Sequence, residues 1–303
     1  MSAPFVSIVL PTRNGLAALP AVLDAMARQQ TDLSFEIVAV DSSSTDGTAD
    51  LLRSRVERFI SIPADAFDHG STRNLGVEQA RGELVVLLVQ DAVPASDSWL
   101  DALTAPLIAD PSVAGSYARQ LPRPDASAIT RHNLAQWAAS SDTARTVAIG
   151  SRAEFEALEP AAQFERCAFD NVCSCIRRSI WVRHPYRPTL IGEDIEWARD
   201  VLLAGYRIAY VPKATVIHSH DRSIRYEFTR TYVLHRRLFE LFQLRTIPTL
   251  QLLVRAIVSS LAVHLRCERS GRAFALAFAW PLGQYLGALS AVRGRKISRS
   301  KQV

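Results

Sequence analysis

Cysteine is scarce in this chain: four in 303 residues, at Cys167, Cys173, Cys175 and Cys267. Cys173 and Cys175 are two apart, which is not the CxxC spacing of a zinc ribbon or a redox pair. The four read as reduced thiols of a cytoplasmic protein. No amino-terminal targeting signal is expected either. The apolar run Phe5 to Leu10 is too short, has no basic flank and meets Pro11 at once. Neither internal repeats nor low-complexity segments occur. Hydrophobic residues make up 48% and charged residues 21%, which excludes gross disorder and allows a sizeable core. Acidic residues become rare toward the end. Residues 222–303 hold 15 Lys and Arg against 3 Asp and Glu, a net +12, whereas residues 1–221 hold 20 against 27, a net −7. A basic tail on an acidic body points to an anionic surface, membrane or polyphosphate, with a solubilising face as the plain alternative. No nucleic-acid partner is expected.

What is present over residues 1–110 is an alternation of strand-like and helix-like patterns. Strands are expected at Phe5–Leu10, stopped by Pro11, and at Phe35–Val40, Phe59–Ile62 and Leu84–Val89. Helices are expected at Leu16–Gln30, from Thr45 or Asp46 to Phe59, and at Ser71–Arg81. Near-continuous apolar strands between amphipathic helices imply a parallel sheet covered on both faces. Ligands of such sheets bind beyond the carboxyl ends of the strands. Pro11, Thr12, Asn14, Asp41, Gln90 and Asp91 all fall there.

Residues 111–225 show fewer signals. Strands are expected at Val113–Leu121, Ala168–Arg178, Arg207–Val211 and Ala214–His218, the last two separated by Pro212. A helix is expected over Glu193–Leu203. Residues 226–303 read as a helical extension, with helices at Arg222–Gln243, Pro248–Glu268 and Arg272–Val292. The apolar stretch Ala273–Ala291, flanked by Arg266, Arg269 and Arg272 before and Arg293, Arg295 and Lys296 after, fits an interfacial helix better than a span. An ordinary helix packed on the core is the alternative.

Several polar residues stand where chemistry could occur. Asp41 at a strand end can accept from a pyrimidine ring N–H or a ribose hydroxyl, while Asp46 is explained by turn and helix-cap chemistry. Asp91 follows a fully apolar strand and offers a hard oxygen ligand to a divalent cation. His218 can add a nitrogen ligand, which suits Mn²⁺ better than Mg²⁺. His220 is the fallback, because a residue two along a strand shares its face. Arg73 starts a helix after Phe67-Asp68-His69-Gly70 and can face a base or a diphosphate, or lie on the surface. Glu193, Asp194 and Glu196 occupy the first turn of one helix. Asp194 is the candidate general base for an attacking hydroxyl, with helix capping as the competing account.

Taken together, these stretches resemble the family 2 glycosyltransferases of GT-A fold. They are Pro11-Thr12-Arg13-Asn14, Asp41 to Gly47, Arg73-Asn74-Leu75-Gly76, Gly82-Glu83, Gln90-Asp91-Ala92, Glu193-Asp194 and His218. Phe67 to Asn74 and the Gln-Asp-Ala triplet are similar to bacterial rhamnosyltransferase-like members. The resemblance covers about residues 4–225. It implies an α/β fold with a mixed, mainly parallel sheet, residues 1–110 forming a nucleotide-binding half and 111–225 an acceptor half. It further implies nucleotide-sugar binding by Pro11, Thr12, Asn14, Asp41, Arg73, Gln90 and Asp91, a Mg²⁺ or Mn²⁺ cofactor on Asp91 and His218, and Asp194 as base. Glu193 and Trp197 are expected to support the site. The family's Asp-x-Asp is reduced here to Gln90-Asp91-Ala92, one metal carboxylate fewer.

The implied activity is inverting transfer of a sugar, L-rhamnose from its thymidine diphosphate donor, to a glycan or polyprenyl-diphosphate-linked acceptor. A uridine-linked hexose or galactofuranose donor is the second reading, and a non-catalytic nucleotide-sugar-binding scaffold the third. The expected location is cytoplasmic, at the inner face of the cell membrane through the basic tail.

Overall fold

The computed structural model describes residues 4–294. Arg295 and Lys296, counted above as flanks of the last apolar stretch, lie outside them. The first half alternates β1 (Val6–Thr12), α1 (Leu19–Ala27), β2 (Phe35–Asp41), α2 (Thr48–Arg55), β3 (Arg58–Ser61), α3 (His69–Gln79) and β4 (Leu84–Leu88). These four strands pair in parallel in the order β3-β2-β1-β4. Two departures from the expected boundaries have local causes. Pro11 does not end β1. It has no N–H to give, but the strand continues to Thr12, which pairs with Asp41. Asp46 does not cap α2. Gly47, at φ +95°, takes the N-cap position, and Asp46 accepts from the Thr48 N–H in a turn just before it.

The chain continues through β5 (Val93–Pro94), α4 (Trp99–Ala109), β6 (Val113–Leu121), α5 (Ala128–Ala135), β7 (Arg145–Val147), α6 (Arg152–Glu156), α7 (Pro160–Arg166), β8 (Cys173–Arg177), α8 (Arg178–Trp181), α9 (Glu193–Leu203) and β9 (Arg207–Ile217). The sheet has nine strands in the order β3-β2-β1-β4-β8-β6-β9-β5, with β7 also on β9. β8 runs antiparallel to both β4 and β6. Its amino end therefore lies at the edge where the parallel strands end. The two strands expected around Pro212 are one strand, because the register with β6 shifts between Ala118 and Arg119 and accommodates the extra residues there.

Side chains of the strands alternate between two apolar layers, as period-two geometry requires. Ile8, Leu10, Val86 and Leu88 meet Leu19, Met26, Trp99 and Leu103 on one side. Val9, Val85 and Leu87 meet Val77, Trp181, Trp197 and Val201 on the other. Cys173 and Cys175 belong to the first layer as buried free thiols. Burial pushes both far above the ordinary thiol range, so neither is a reactive thiolate.

The described residues end in three long helices: α10 (Ile224–Phe242), α11 (Leu250–Cys267) and α12 (Gly271–Val292). α12 covers the last apolar stretch, and it packs against α10 rather than lying free. At Gly287 a Cβ would stand 2.3 Å from the Tyr232 carbonyl oxygen, so the two backbones meet where only glycine fits. α11 is the helix left outside. Leu250, Val254, Val258 and Leu265 are exposed along it. α11 and α12 are each long and apolar enough to cross a membrane by length and composition.

α10 is joined to the sheet domain through Glu196 of α9. This carboxylate is buried and ion-paired with Arg187 (3.1 Å), Arg199 (3.7 Å) and Arg237 of α10. Breaking a buried pair costs about 3–5 kcal/mol, because charge is left without a partner. Arg187 is largely exposed and can turn to water. Glu196→Ala should therefore cost about 3 kcal/mol, read as a lower denaturant midpoint at unchanged slope.

Candidate active site

Two loops at the carboxyl edge of β1 and β2 are laced together. The Thr12 hydroxyl donates to Asp41 Oδ1 at 3.0 Å, and the Ser44 N–H donates to Asp41 Oδ2 at 2.9 Å. Asn14, at φ +46°, accepts from the Thr45 N–H at 2.9 Å, and its own N–H reaches Ser44 Oγ at 2.8 Å. Asp41 and Asn14 thus form the floor of this edge. Pro11 lies in β1 beside Val40. Gln90, beyond β4, bonds the Arg13 backbone in both directions: Oε1 accepts from N–H at 2.8 Å and Nε2 donates to C=O at 3.1 Å. A carboxylate could not make the second bond, since it only accepts.

Next to Gln90, Asp91 meets two imidazoles that follow β9. His220 Nε2 stands 3.3 Å from Asp91 Oδ2, and His218 Nε2 stands 3.7 Å from Oδ1. The fallback ligand is therefore the nearer of the two. The two Nε2 atoms are 3.1 Å apart. Burial lowers the pKa of His218, and that of His220 to about 4, outweighing the Asp91 charge. Both rings are then neutral at pH 7, the form that ligates metal. Two imidazole nitrogens and a carboxylate oxygen, all within 4.8 Å of one another, form a mixed N/O donor set, which fits Mn²⁺.

Behind this edge lies the start of α9. Gly192 holds φ +77° and has Arg237 Cγ 3.3 Å from where a Cβ would be. Glu193 is buried and paired with Arg73 of α3 at 2.9 Å. Arg73, expected at a base, a diphosphate or the surface, is itself buried there, and its guanidinium also contacts His69. Trp197, expected to support donor or acceptor, sits in the aromatic core against Phe169 and Tyr186. Glu196 turns away from Asp194 into its arginine cluster, as the spacing implied. Asp194 is partly open. It accepts from the Ile195 N–H at 2.8 Å and the Asn171 N–H at 3.2 Å. Burial, with the charges of Glu193 and Asp170, pushes its carboxyl up to about 8.

Residues 7–156 match the family model described as Glycosyl transferase family 2. The O-antigen chain rhamnosyltransferase RfbN of Salmonella typhimurium is 31% identical over 75% of this chain and 70% of its own. The chain belongs to glycosyl transferase family 2. The fold agrees. A mannosyltransferase of Pyrobaculum calidifontis, solved with GDP-Man and Mn²⁺, superposes with a TM-score of 0.54 at 19% identity, covering 98% of this chain and 77% of its own. Glucosyl-3-phosphoglycerate synthase of Mycobacterium tuberculosis, solved with Mn²⁺, UDP and glucosyl-3-phosphoglycerate, gives 0.56 at 18% identity over 80% and 81%. The architecture is the GT-A fold, with a mixed sheet flanked by helices and a helical carboxyl-terminal region.

In this family 2 glycosyltransferase the sequence reading missed a polar group at the amino end of β8. Asp170 and Asn171 reach Asp194, Glu193 and Gln120. The available signal was an Asp-Asn pair opening a strand, hidden because Ala168–Arg178 read as one unbroken strand. Asp194 also yields a test. Its folded-state pKa is raised, so its contribution to stability is full below the ordinary carboxyl pKa near 4 and is lost as pH rises through about 8. The groups facing it are Glu193, Asp170 and Arg73. Asp194→Asn removes the titration, so its melting temperature relative to wild type should climb between pH 5 and 9. A pH-independent difference in thermal scans would show that Asp194 does not titrate in this range.

Proposed function

We propose that this glycosyltransferase inverts the anomeric centre as it moves a sugar from a nucleoside diphosphate donor to a hydroxyl of a glycan or lipid-linked oligosaccharide. The observation that carries the reading is Asp194, a partly open carboxyl near its working pKa, set among polar groups at the same sheet edge as the Asp91–His218–His220 donor set. Asp194 takes the proton of the acceptor hydroxyl as its oxygen bonds to the anomeric carbon, and the nucleoside diphosphate leaves with the glycosidic electron pair. Asp91, His218 and His220 would hold a divalent cation, Mn²⁺ by their chemistry, whose charge offsets that of the diphosphate. Thr12 and Asp41 lie at the strand ends where the nucleoside would bind. Similarity to an O-antigen chain rhamnosyltransferase supports rhamnose as the sugar, for which the thymidine diphosphate donor is the one to test first.

Asp194→Asn should keep the fold and donor binding and lose at least a hundredfold in transfer rate. The check is transfer by purified protein from thymidine diphosphate rhamnose, alongside uridine-linked hexose and galactofuranose donors. Activity of the variant within tenfold of wild type would remove Asp194 from the mechanism. Transfer only from a uridine-linked sugar would replace rhamnose.

The second part of the reading is attachment to the inner face of the cell membrane. Its support is α11, not the stretch at Ala273–Ala291 favoured by sequence. Leu250, Val254, Val258 and Leu265 recur on one side of α11, and Arg255 and Arg266, three turns apart, border that side. An apolar strip edged by arginine suits an anionic lipid surface. The protein should sediment with anionic vesicles at low salt and be partly released at high salt, with Val254→Asp/Val258→Asp weakening both. Equal sedimentation with neutral vesicles would show that the basic charge takes no part.

A further inference from the structure

We propose that Gln120 and Asp170 are positioning residues that fix His218 as its Nδ1–H tautomer, so that its Nε2 lone pair faces Asp91 and His220. The inference rests on reading those three residues as a cation site.

The chain of bonds begins at Asp170. Its Oδ1 accepts from the Val172 N–H at 2.9 Å, and its Oδ2 accepts from Trp137 Nε1 at 2.9 Å and Gln120 Nε2 at 2.5 Å. Three N–H donors converge on this carboxyl, so both oxygens act as acceptors. Gln120 is buried and must turn its NH₂ toward Asp170. Its amide oxygen then has one direction left, and it lies 2.9 Å from His218 Nδ1. An oxygen only accepts, so Nδ1 must carry the hydrogen. In the neutral imidazole a hydrogen on Nδ1 leaves Nε2 with its lone pair. A buried carboxylate at one end thus dictates the tautomer at the other, through an amide that can transmit only one polarity. Metal-binding histidines commonly donate their second N–H to a carboxylate or carbonyl, which orients the ring and raises its basicity. Here Gln120 is interposed.

No part of this depends on donor, acceptor or transfer. Strand pairing alone does not require it either. Gln120 and Val216 are register partners through their backbones, whereas the Gln120 side chain crosses to His218 and Asp170.

The test uses the full chain, labelled with ¹⁵N at histidine and free of metal at neutral pH. His218 signals are assigned by their loss in His218→Ala. Wild type should show His218 as the Nδ1–H form. Mn²⁺ is then titrated by calorimetry into wild type, Asp91→Ala and Gln120→Met, the last keeping side-chain length without the amide. Wild type should bind, Asp91→Ala should not, and Gln120→Met should bind 10–100-fold more weakly while His218 shifts toward the Nε2–H form. The Nε2–H form in wild type, or wild-type affinity and tautomer in Gln120→Met, would overturn the proposal. Should Gln120→Met fail to fold, the wild-type tautomer decides alone. A wild type that binds no Mn²⁺ but holds His218 as Nδ1–H would remove the cation reading and leave the tautomer assignment standing.

Discussion

The buried pair of Arg73 and Glu193 holds the two halves of this molecule in register. Arg73 comes from α3, in the parallel half, and Glu193 opens α9, in the half built around the antiparallel β8. Burial would push the Glu193 carboxyl up, but the charges of Arg73 and His69 hold it below the usual range. Glu193 is therefore ionised at neutral pH, and its charge acts on its neighbour. Among the described residues Asp194 has no such ion-pair partner, and it is raised by burial and by that charge. Adjacent carboxyls pushed in opposite directions take different roles. Glu193 ties α9 to α3, and Asp194 is left near the pKa that proton transfer at neutral pH favours.

The same division of labour explains the shortened acidic triplet. A second carboxylate at position 90 would add negative charge beside Asp91 and could not donate to the Arg13 carbonyl. Gln90 instead closes the loop after β1 with two bonds. Two imidazoles stand beside Asp91 where that carboxylate is lacking. The triplet thus carries no support for a scaffold without catalysis. The nitrogen groups beside Asp91 come from the end of β9 instead of from one turn after β4.

Much of this was legible in the sequence because the signals were local. Continuous apolar runs marked β1, β2 and β4, and the Glu193–Leu203 helix and the three closing helices fell within a few residues of their observed ends. Asp91, His218 and His220 were readable because chemistry-bearing types follow apolar strands. What stayed hidden depends on pairing across distance. Asp170 acquires its place from the reversed direction of β8, and Gln120 from a side chain that leaves β6 toward β9. No periodicity reports either. Arg73 looked like a surface or ligand-facing arginine because its partner lies 120 residues away. Trp197 looked like site support because it follows Glu193 and Asp194 so closely, yet its position on the helix turns it inward.

The carboxyl-terminal charge count shows the same limit from another direction. A net +12 over residues 222–303 reads as a free basic surface. In the folded chain Arg237 is held by Glu196 and Glu240, Arg236 by Glu240, and Arg272 by Asp221. Arg237 joins α10 to α9, Arg272 joins α12 to the loop before α10 and Arg236 pairs within α10, so they add little to an outward field. The apolar count divides likewise. Leu276, Ala277, Gly283 and Gly287 of α12 face inward, whereas the outward apolar strip belongs to α11, which carries its own arginines at the margin. Composition placed both charge and hydrophobicity at the end of the chain. Packing gives Arg237 to holding α10 on α9, and leaves α11 as the helix with an exposed apolar strip. A surface engaged by α11 would thus be linked through α12 and α10 to Glu196, two residues from Asp194.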